Sequence, residues 1–120
     1  MKAAQLIGHL FLARDVAHVV HLNTKSYAQH KALNEFYDEV VDLADKFAEA
    51  YQGRKGLIGV VSLQEAKRNH NIITFLEDSL QTIEDNRYTI VDKTDTPLQN
   101  IIDEIVGLYL STLYKLKNLS

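Results

Sequence analysis

Apolar residues recur every three to four positions through most of the chain, and this spacing predicts four α-helices over residues 2–23, 26–51, 62–85 and 97–118. One proline and five glycines leave little room for turns. We therefore expect an all-α, antiparallel, up-down-up-down bundle with short loops, forming a single domain over residues 1–120. The second and fourth stripes predict core residues: Leu33, Phe36, Tyr37, Val40, Ala44, Phe47, Ala48 and Tyr51, then Leu98, Ile101, Ile102, Ile105, Leu108, Tyr109, Leu113 and Leu116.

Polar residues at the ends of these segments predict where the helices start and stop. N-cap signals occur at Ser26, where Gln29 completes a capping box, and at Ser62 in the capping-box sequence SLQE. A third lies at Thr96, where Pro97 takes the first helical position and Gln99 completes the box, while Gly53 is a candidate left-handed C-cap. Residues 86–94 are the least periodic part of the chain. They form either a connection or an extension of the third helix.

The first helix carries apolar residues on two sides. One stripe consists of Leu6, Leu10, Ala13, Ala17 and Val20, and a second consists of Leu12, Val16 and Val19. A helix that is apolar on two faces is buried on two faces. A four-helix monomer does not cover both, so we expect a homodimer or a larger assembly that uses this helix.

Composition narrows the classes of function. The chain has no cysteine, which excludes disulfides, cysteine zinc sites and thiol nucleophiles. The net charge of -3 argues against a dedicated nucleic-acid binder. Four basic residues (Arg54, Lys55, Lys67 and Arg68) lie close in sequence, but a solvated loop and helix start accounts for them better. No apolar run is long enough for a membrane span and no signal peptide is apparent, so a cytoplasmic location is expected.

Histidines and carboxylates supply the candidate chemistry. His18 and His21 lie near the end of the first helix, His30 opens the second, and Asp45 and Glu49 are one helical turn apart near its end. Nitrogen and carboxylate ligands at this spacing are typical of transition-metal sites, and they suit Fe(II), Zn(II) or Mn(II). His9 and His70 have no partners at helical spacing, and we expect them to be structural.

Two segments carry a resemblance to a known family. Residues 6–23, LIGHLFLARDVAHVVHLN, resemble the first helix of the Dps branch of the ferritin-like proteins, with Leu22 in place of the usual tryptophan. Residues 30–49, HKALNEFYDEVVDLADKFAE, resemble its second helix. The resemblance covers about the first fifty residues. A looser resemblance links the chain to small ferritin-like proteins carried by phages.

The Dps resemblance implies an iron site between two subunits, with histidines from one chain and carboxylates from the other. The matching positions are His21, His30, Asp45 and Glu49; weaker candidates are Asn34, Glu35, Asp38 and His18. Iron bound there would imply oxidation of Fe(II) by peroxide or oxygen. The resemblance also implies DNA as a partner. Nothing else in the sequence supports DNA binding, because the chain has no basic tail.

The chain departs from the Dps pattern at three points, and the first of them favours an alternative in which the chain is a non-enzymatic interaction protein that kept the scaffold and lost the metal chemistry. Asn34 stands where the family has an aspartate ligand. The segment between His21 and His30 is shorter than usual, and the loop Gln52 to Val61 replaces a short helix that helps to form the family's dimer interface.

Overall fold

A computed structural model describes residues 1–66 and 71–119 as a bundle of four helices. They are α1 (Ala3–Asn23), α2 (Tyr27–Lys55), α3 (Ile72–Ile90) and α4 (Thr96–Asn118). These described ranges contain no β-strand, which confirms the predicted all-α, antiparallel bundle. Within them, no helix combines the length and the apolar character that crossing a membrane requires.

The helices form a square in which α1 and α4 each pack against both α2 and α3. The N-terminal amine of Met1 contacts Asn86, and His9 contacts Ser79, so α3 runs antiparallel to α1. Ion pairs such as that between Lys46 and Glu104 join later residues of α2 to earlier residues of α4, and earlier residues of α2 to later ones of α4. The helix α4 is therefore antiparallel to α2. The chain order is therefore up, down, down, up, and the expected up-down-up-down order with short loops is wrong. The diagonal helices α2 and α3 run in the same direction.

Because α2 and α3 are parallel, the connection between them must lead the chain back along the bundle; we call its described part, residues 56–66, the crossover. Gly56 and Gly59 have φ angles of 88° and 87°, which allow the chain to turn away from α2. The crossover then passes over α1 at Gly8. The carbonyl oxygen of Ser62 lies only 2.5 Å from the place that a Cβ on Gly8 would occupy, and the Val61 side chain lies beside it.

Several predicted helix ends differ from the structure. α2 continues past Gly53 to Lys55, and Gly56 is its C-cap. The capping-box sequence at Ser62 starts no helix, since residues 62–66 are not helical. A helix rises about 1.5 Å per residue and an extended chain about 3.3 Å, so a crossover that spans the bundle favours extended backbone. α3 instead begins after Asn71, whose side chain accepts hydrogen bonds from two backbone N–H groups.

The junction between α3 and α4 is held by a buried glutamine. The N-cap of α4 is Asp95 rather than Thr96. Gln99 does not complete a capping box; its amide instead donates to the carbonyl oxygens of Arg87 and Val91 at 3.1 Å each. The Arg87 guanidinium donates in return to the Gln99 side-chain oxygen at 2.9 Å. Gln99 thereby supplies a donor to the Val91 carbonyl just beyond α3, and a second donor to the Arg87 carbonyl, which also accepts from the Val91 N–H.

The two apolar faces of α1 have different surroundings. The first stripe is buried in the bundle except for the half-buried Val20. On the second, Val16 is buried and Leu12 is half-buried, but Val19 is 58% exposed and the neighbouring Leu22 is 69% exposed. Among the described residues, the crossover covers the outside of α1 near Gly8, and no other segment covers Val19 and Leu22 on the outside of its C-terminal half.

Candidate histidine site

Three of the predicted site residues meet where α1 turns into α2. Antiparallel packing with a three-residue turn brings the last turn of α1 beside the first turn of α2. This places His18 and His21 of α1 next to His30 and Tyr37 of α2. We call these four residues the histidine corner.

His21 and His30 bind each other through reciprocal hydrogen bonds. The Nδ1 atom of His21 lies 2.7 Å from the carbonyl oxygen of His30, and the Nδ1 atom of His30 lies 3.0 Å from the carbonyl oxygen of His21. A carbonyl oxygen only accepts, so each Nδ1 carries the hydrogen and donates it. The two rings stack with centroids 3.6 Å apart and an interplanar angle of 23°. His30 thus caps a carbonyl in the last turn of α1, where intrahelical partners are missing.

Tyr37 joins the third histidine to the corner. Its ring stacks on His18 with centroids 4.2 Å apart, and it lies nearly perpendicular to the ring of His21 with centroids 5.3 Å apart. The Tyr37 hydroxyl donates to the side-chain oxygen of Asn34 at 2.6 Å. The Asn34 amide in turn lies 3.4 Å from a carboxylate oxygen of Asp38. Asn34, the position where the Dps family has an acid, therefore holds Tyr37 in place.

The tautomer imposed on His21 and His30 determines what the pair can do chemically. With hydrogen on Nδ1, the Nε2 atom of each neutral ring carries a lone pair. A histidine that ligates a metal usually donates its other ring N–H to a carbonyl or a carboxylate, as both rings do here. Across residues 1–66 and 71–119, however, no group of three or more histidine or acidic side chains is placed to hold a metal ion. Within one described chain the pair supplies two ligands at most.

The predicted carboxylate ligands lie away from the corner. Asp45 and Glu49 are exposed on α2, about 22 Å and 28 Å along the helix from His30 at 1.5 Å per residue. Glu35 lies on the side of α2 that packs against α4, where it pairs with Lys115 at 2.9 Å. The hydrogen bond and the charge of Lys115 lower the pKa of Glu35. A site that joins these histidines to Asp45 and Glu49 needs a second chain, and that arrangement stays a prediction.

A polar chain inside the bundle has no counterpart among the predicted site residues. The Nε2 atom of His9 lies 3.0 Å from the Ser79 carbonyl oxygen and 2.8 Å from its hydroxyl, which lies 2.8 Å from the hydroxyl of the fully buried Tyr109. Burial lowers the pKa of His9 and raises that of Tyr109 far above its usual value. His9 has a structural position, as expected, whereas His70 lies outside the described residues. The spacing of residues in the sequence does not reveal this series of hydrogen bonds, because His9, Ser79 and Tyr109 come from three different helices.

Comparison with known proteins assigns the family. A family model described as a family of unknown function, DUF5856, matches residues 21–116. The chain belongs to the DUF5856 family. Among its relatives is a protein of Enterobacteria phage T4, described as an uncharacterized 14.6 kDa protein in the mobD-ri intergenic region. The two are 33% identical over 115 residues, which cover 96% of this chain and 88% of the phage protein. No solved structure matches the chain.

Membership in DUF5856 corrects the resemblance drawn from the first fifty residues. The family model runs from His21 almost to the end of α4, and neither it nor the phage relative is described as ferritin-like. The assignment to the Dps branch is therefore wrong. The connection to phages is confirmed by the T4 relative, but without the ferritin-like part of that expectation.

Proposed function

We propose that this DUF5856 protein is a non-catalytic helical-bundle protein that binds a second copy of itself through the outer face of α1. The observation that carries the proposal is the exposure of Val19 and Leu22 on that face. They continue a row with Gly8, Leu12 and Asp15, spaced alternately four and three residues apart, which is the spacing of a helix–helix seam. Such a seam pairs with its own copy about a two-fold axis.

The crossover supports this proposal by covering the other end of the same row. At Gly8 the backbone of Ser62 and the side chain of Val61 lie directly on α1. Leu12 is half-buried beyond them, whereas Val19 and Leu22 have no comparable cover in the described chain. Asp15 pairs with Arg14 at 3.0 Å, so its charge is already partly compensated at the middle of the row. A second copy would remove the exposed apolar surface from water.

Introducing a charge into the row tests the proposal. We expect Val19→Glu to convert a dimer into a monomer at micromolar concentration, because dimerisation would bury the new carboxylate without a partner. The matched control is Leu110→Glu, since Leu110 is also a helical residue and is 54% exposed, but lies on α4, diagonally across the bundle. Light scattering or sedimentation measures the mass. A parent protein with the mass of one 13.6 kDa chain, or equal effects of both variants, would contradict the proposal.

A second candidate function is binding of a divalent transition metal at the histidine corner of the dimer. The Nδ1 bonds of His21 and His30 to carbonyl oxygens favour it, because they leave both Nε2 lone pairs for a ligand. In this arrangement Asp45 and Glu49 of the partner chain would complete the site. Two carboxylates balance the charge of one divalent ion, so one ion per site is expected at most.

Equilibrium titration with Zn(II), and with Fe(II) under anaerobic conditions, tests the metal candidate. Binding should be lost in His30→Gln and retained in His9→Gln, because the His9 ring lies outside the histidine corner and is hydrogen-bonded to Ser79. Circular dichroism checks that both variants keep their helices. Because the carboxylates come from the second chain, Val19→Glu should lose binding together with dimerisation. A parent protein that binds neither metal, or a His30→Gln variant that binds as well as the parent, ends this candidate.

A further inference from the structure

The outside of the α2–α4 seam carries two adjoining grooves. The larger has a volume of about 430 Å³ and lies between Glu39 and Asp42 of α2 and Gly107 of α4. The smaller, about 310 Å³, continues toward Tyr27 and Leu119. Glu35 and Lys115 line both grooves, and their ion pair marks the junction. We treat the two together as the α2–α4 groove.

Small residues form part of the floor of this groove, and Gly107 among them is exposed. It lies within α4, where glycine is less favourable than alanine. A Cβ added at Gly107 would meet nothing within 4 Å. Ser111, one turn further on, also lines the groove, as do Ala28 and Ala32 on α2. Together these positions leave room for another backbone to approach, and the flanking Leu43 and Leu108 add apolar surface.

The walls of the larger groove carry an excess of negative charge. Glu35 and Glu104 are paired with Lys115 and Lys46, respectively. Glu39 and Asp42 are exposed and form no ion pair with any residue that the structure describes. A partner that covers the groove must supply positive charge to them, because a buried carboxylate without a partner is unfavourable.

We propose that the α2–α4 groove docks a basic amphipathic helix of a partner protein. From Tyr27 to Leu43 the groove follows α2 for about 24 Å, which is the length of a helix of about 16 residues. An apolar stripe on that helix would lie on the small and apolar floor, and its lysine or arginine side chains would reach Glu39 and Asp42. Nucleic acid and anionic membranes are disfavoured because their phosphates would face these carboxylates.

This interaction surface is separate from the proposed self-association surface. The groove lies on α2 and α4, and the row at Val19 lies on the outside of α1, which does not pack against α4 in the described residues. A partner helix in the groove would therefore leave the α1 row accessible. A variant can therefore lose self-association through α1 and still bind a helix in the groove, or lose binding in the groove and still self-associate.

The probe for the test is a fluorescein-labelled synthetic amphipathic helix of about 16 residues, with a leucine stripe flanked by lysines. Fluorescence anisotropy should show saturable binding that weakens as salt is added. The double variant Glu39→Gln with Asp42→Asn should weaken binding about tenfold, because two charge contacts are lost. The control Asp78→Asn with Glu84→Gln changes the net charge equally at two exposed residues of α3, outside the residues that line the groove, and should bind like the parent.

Two further variants separate docking in the groove from binding elsewhere on the chain. Gly107→Leu should abolish binding, because the leucine side chain would fill the groove. The substitution should leave α4 intact, since an exposed leucine is compatible with a helix. Val19→Glu should bind the peptide like the parent, whether or not the chain self-associates. The proposal is overturned if the peptide does not bind, if the control double variant weakens binding equally, or if Gly107→Leu binds normally. It is also overturned if the groove proves to hold a second copy, which Gly107→Leu would reveal as a decrease in mass in solution.

Discussion

Replacing Gly8 with alanine should lower the free energy of unfolding by about 1–3 kcal/mol, the usual range for an overpacked position. The added Cβ would lie 2.5 Å from the carbonyl oxygen of Ser62. The obstacle is backbone rather than the end of a flexible side chain, so either the crossover or α1 must move. Moving the crossover also disturbs Val61, which packs against the core. Denaturant unfolding followed by circular dichroism at 222 nm measures the loss.

Gly53 supplies the matched control for this experiment. It also lies inside a helix, but it is exposed and a Cβ added there would meet nothing within 4 Å. Gly53→Ala should therefore raise the free energy of unfolding by about 0.4–1 kcal/mol through the lower entropy of the unfolded chain. If Gly8→Ala were equally stabilising, the crossover could not lie against α1 at this point.

Ser79→Ala is expected to lower the free energy of unfolding by about 1–3 kcal/mol, because it leaves a buried hydroxyl without a partner. The Tyr109 hydroxyl is fully buried, and its hydrogen bond to Ser79 is 2.8 Å long. His9 would keep only the backbone carbonyl of residue 79. Chemical denaturation of the parent and the variant at the same pH measures the difference.

A double-mutant cycle separates the hydroxyl from the packing around it. Tyr109→Phe removes the hydroxyl but keeps the ring that packs edge-to-face on Phe36 at 5.1 Å. In the Ser79→Ala background it should therefore restore part of the lost stability, because no unsatisfied hydroxyl remains. Additive losses from the two substitutions would mean that the Ser79–Tyr109 hydrogen bond does not contribute to stability.

The helices were predictable where apolar spacing and local capping agree. Phe36, Val40 and Phe47 of α2, and Ile102 and Ile105 of α4, belong to the predicted stripes and are completely buried. Ser26 is the N-cap of α2, and its hydroxyl accepts the Gln29 N–H as predicted. Both signals depend on residues within a turn or two of each other, which the sequence displays directly.

The order of the helices could not be predicted in this way. The sequence around Ser62 satisfies the local rule for a helix start, but the chain there must travel between opposite ends of two parallel helices. Gln99 likewise satisfies the capping-box rule and instead binds carbonyl groups at the end of α3. In both cases a tertiary requirement outweighs a local preference that is worth about 1 kcal/mol.

The candidate site was predictable only in part. His21 and His30 were selected for their spacing, and they do meet. The hydrogen bonds that join them end on backbone carbonyl groups, which every residue has, so residue identities could not predict these bonds. Their distance from Asp45 and Glu49 follows directly from the length of α2. A second chain would bring those acids to the histidines only through a particular interface between subunits. The spacing of residues along one chain does not specify that interface.

The crossover also determines how far apart in sequence the native contacts are. Within the α1–α2 and α3–α4 hairpins, short turns place interacting residues near each other along the chain. Between the hairpins, contacts such as Met1 with Asn86 and Glu35 with Lys115 join residues that are 85 and 80 positions apart. Local pairs form at a low entropic cost, whereas docking the hairpins requires closure of a large loop. The fold is thus assembled from two locally encoded hairpins, and the entropy of bringing them together is a property of the segment that joins them.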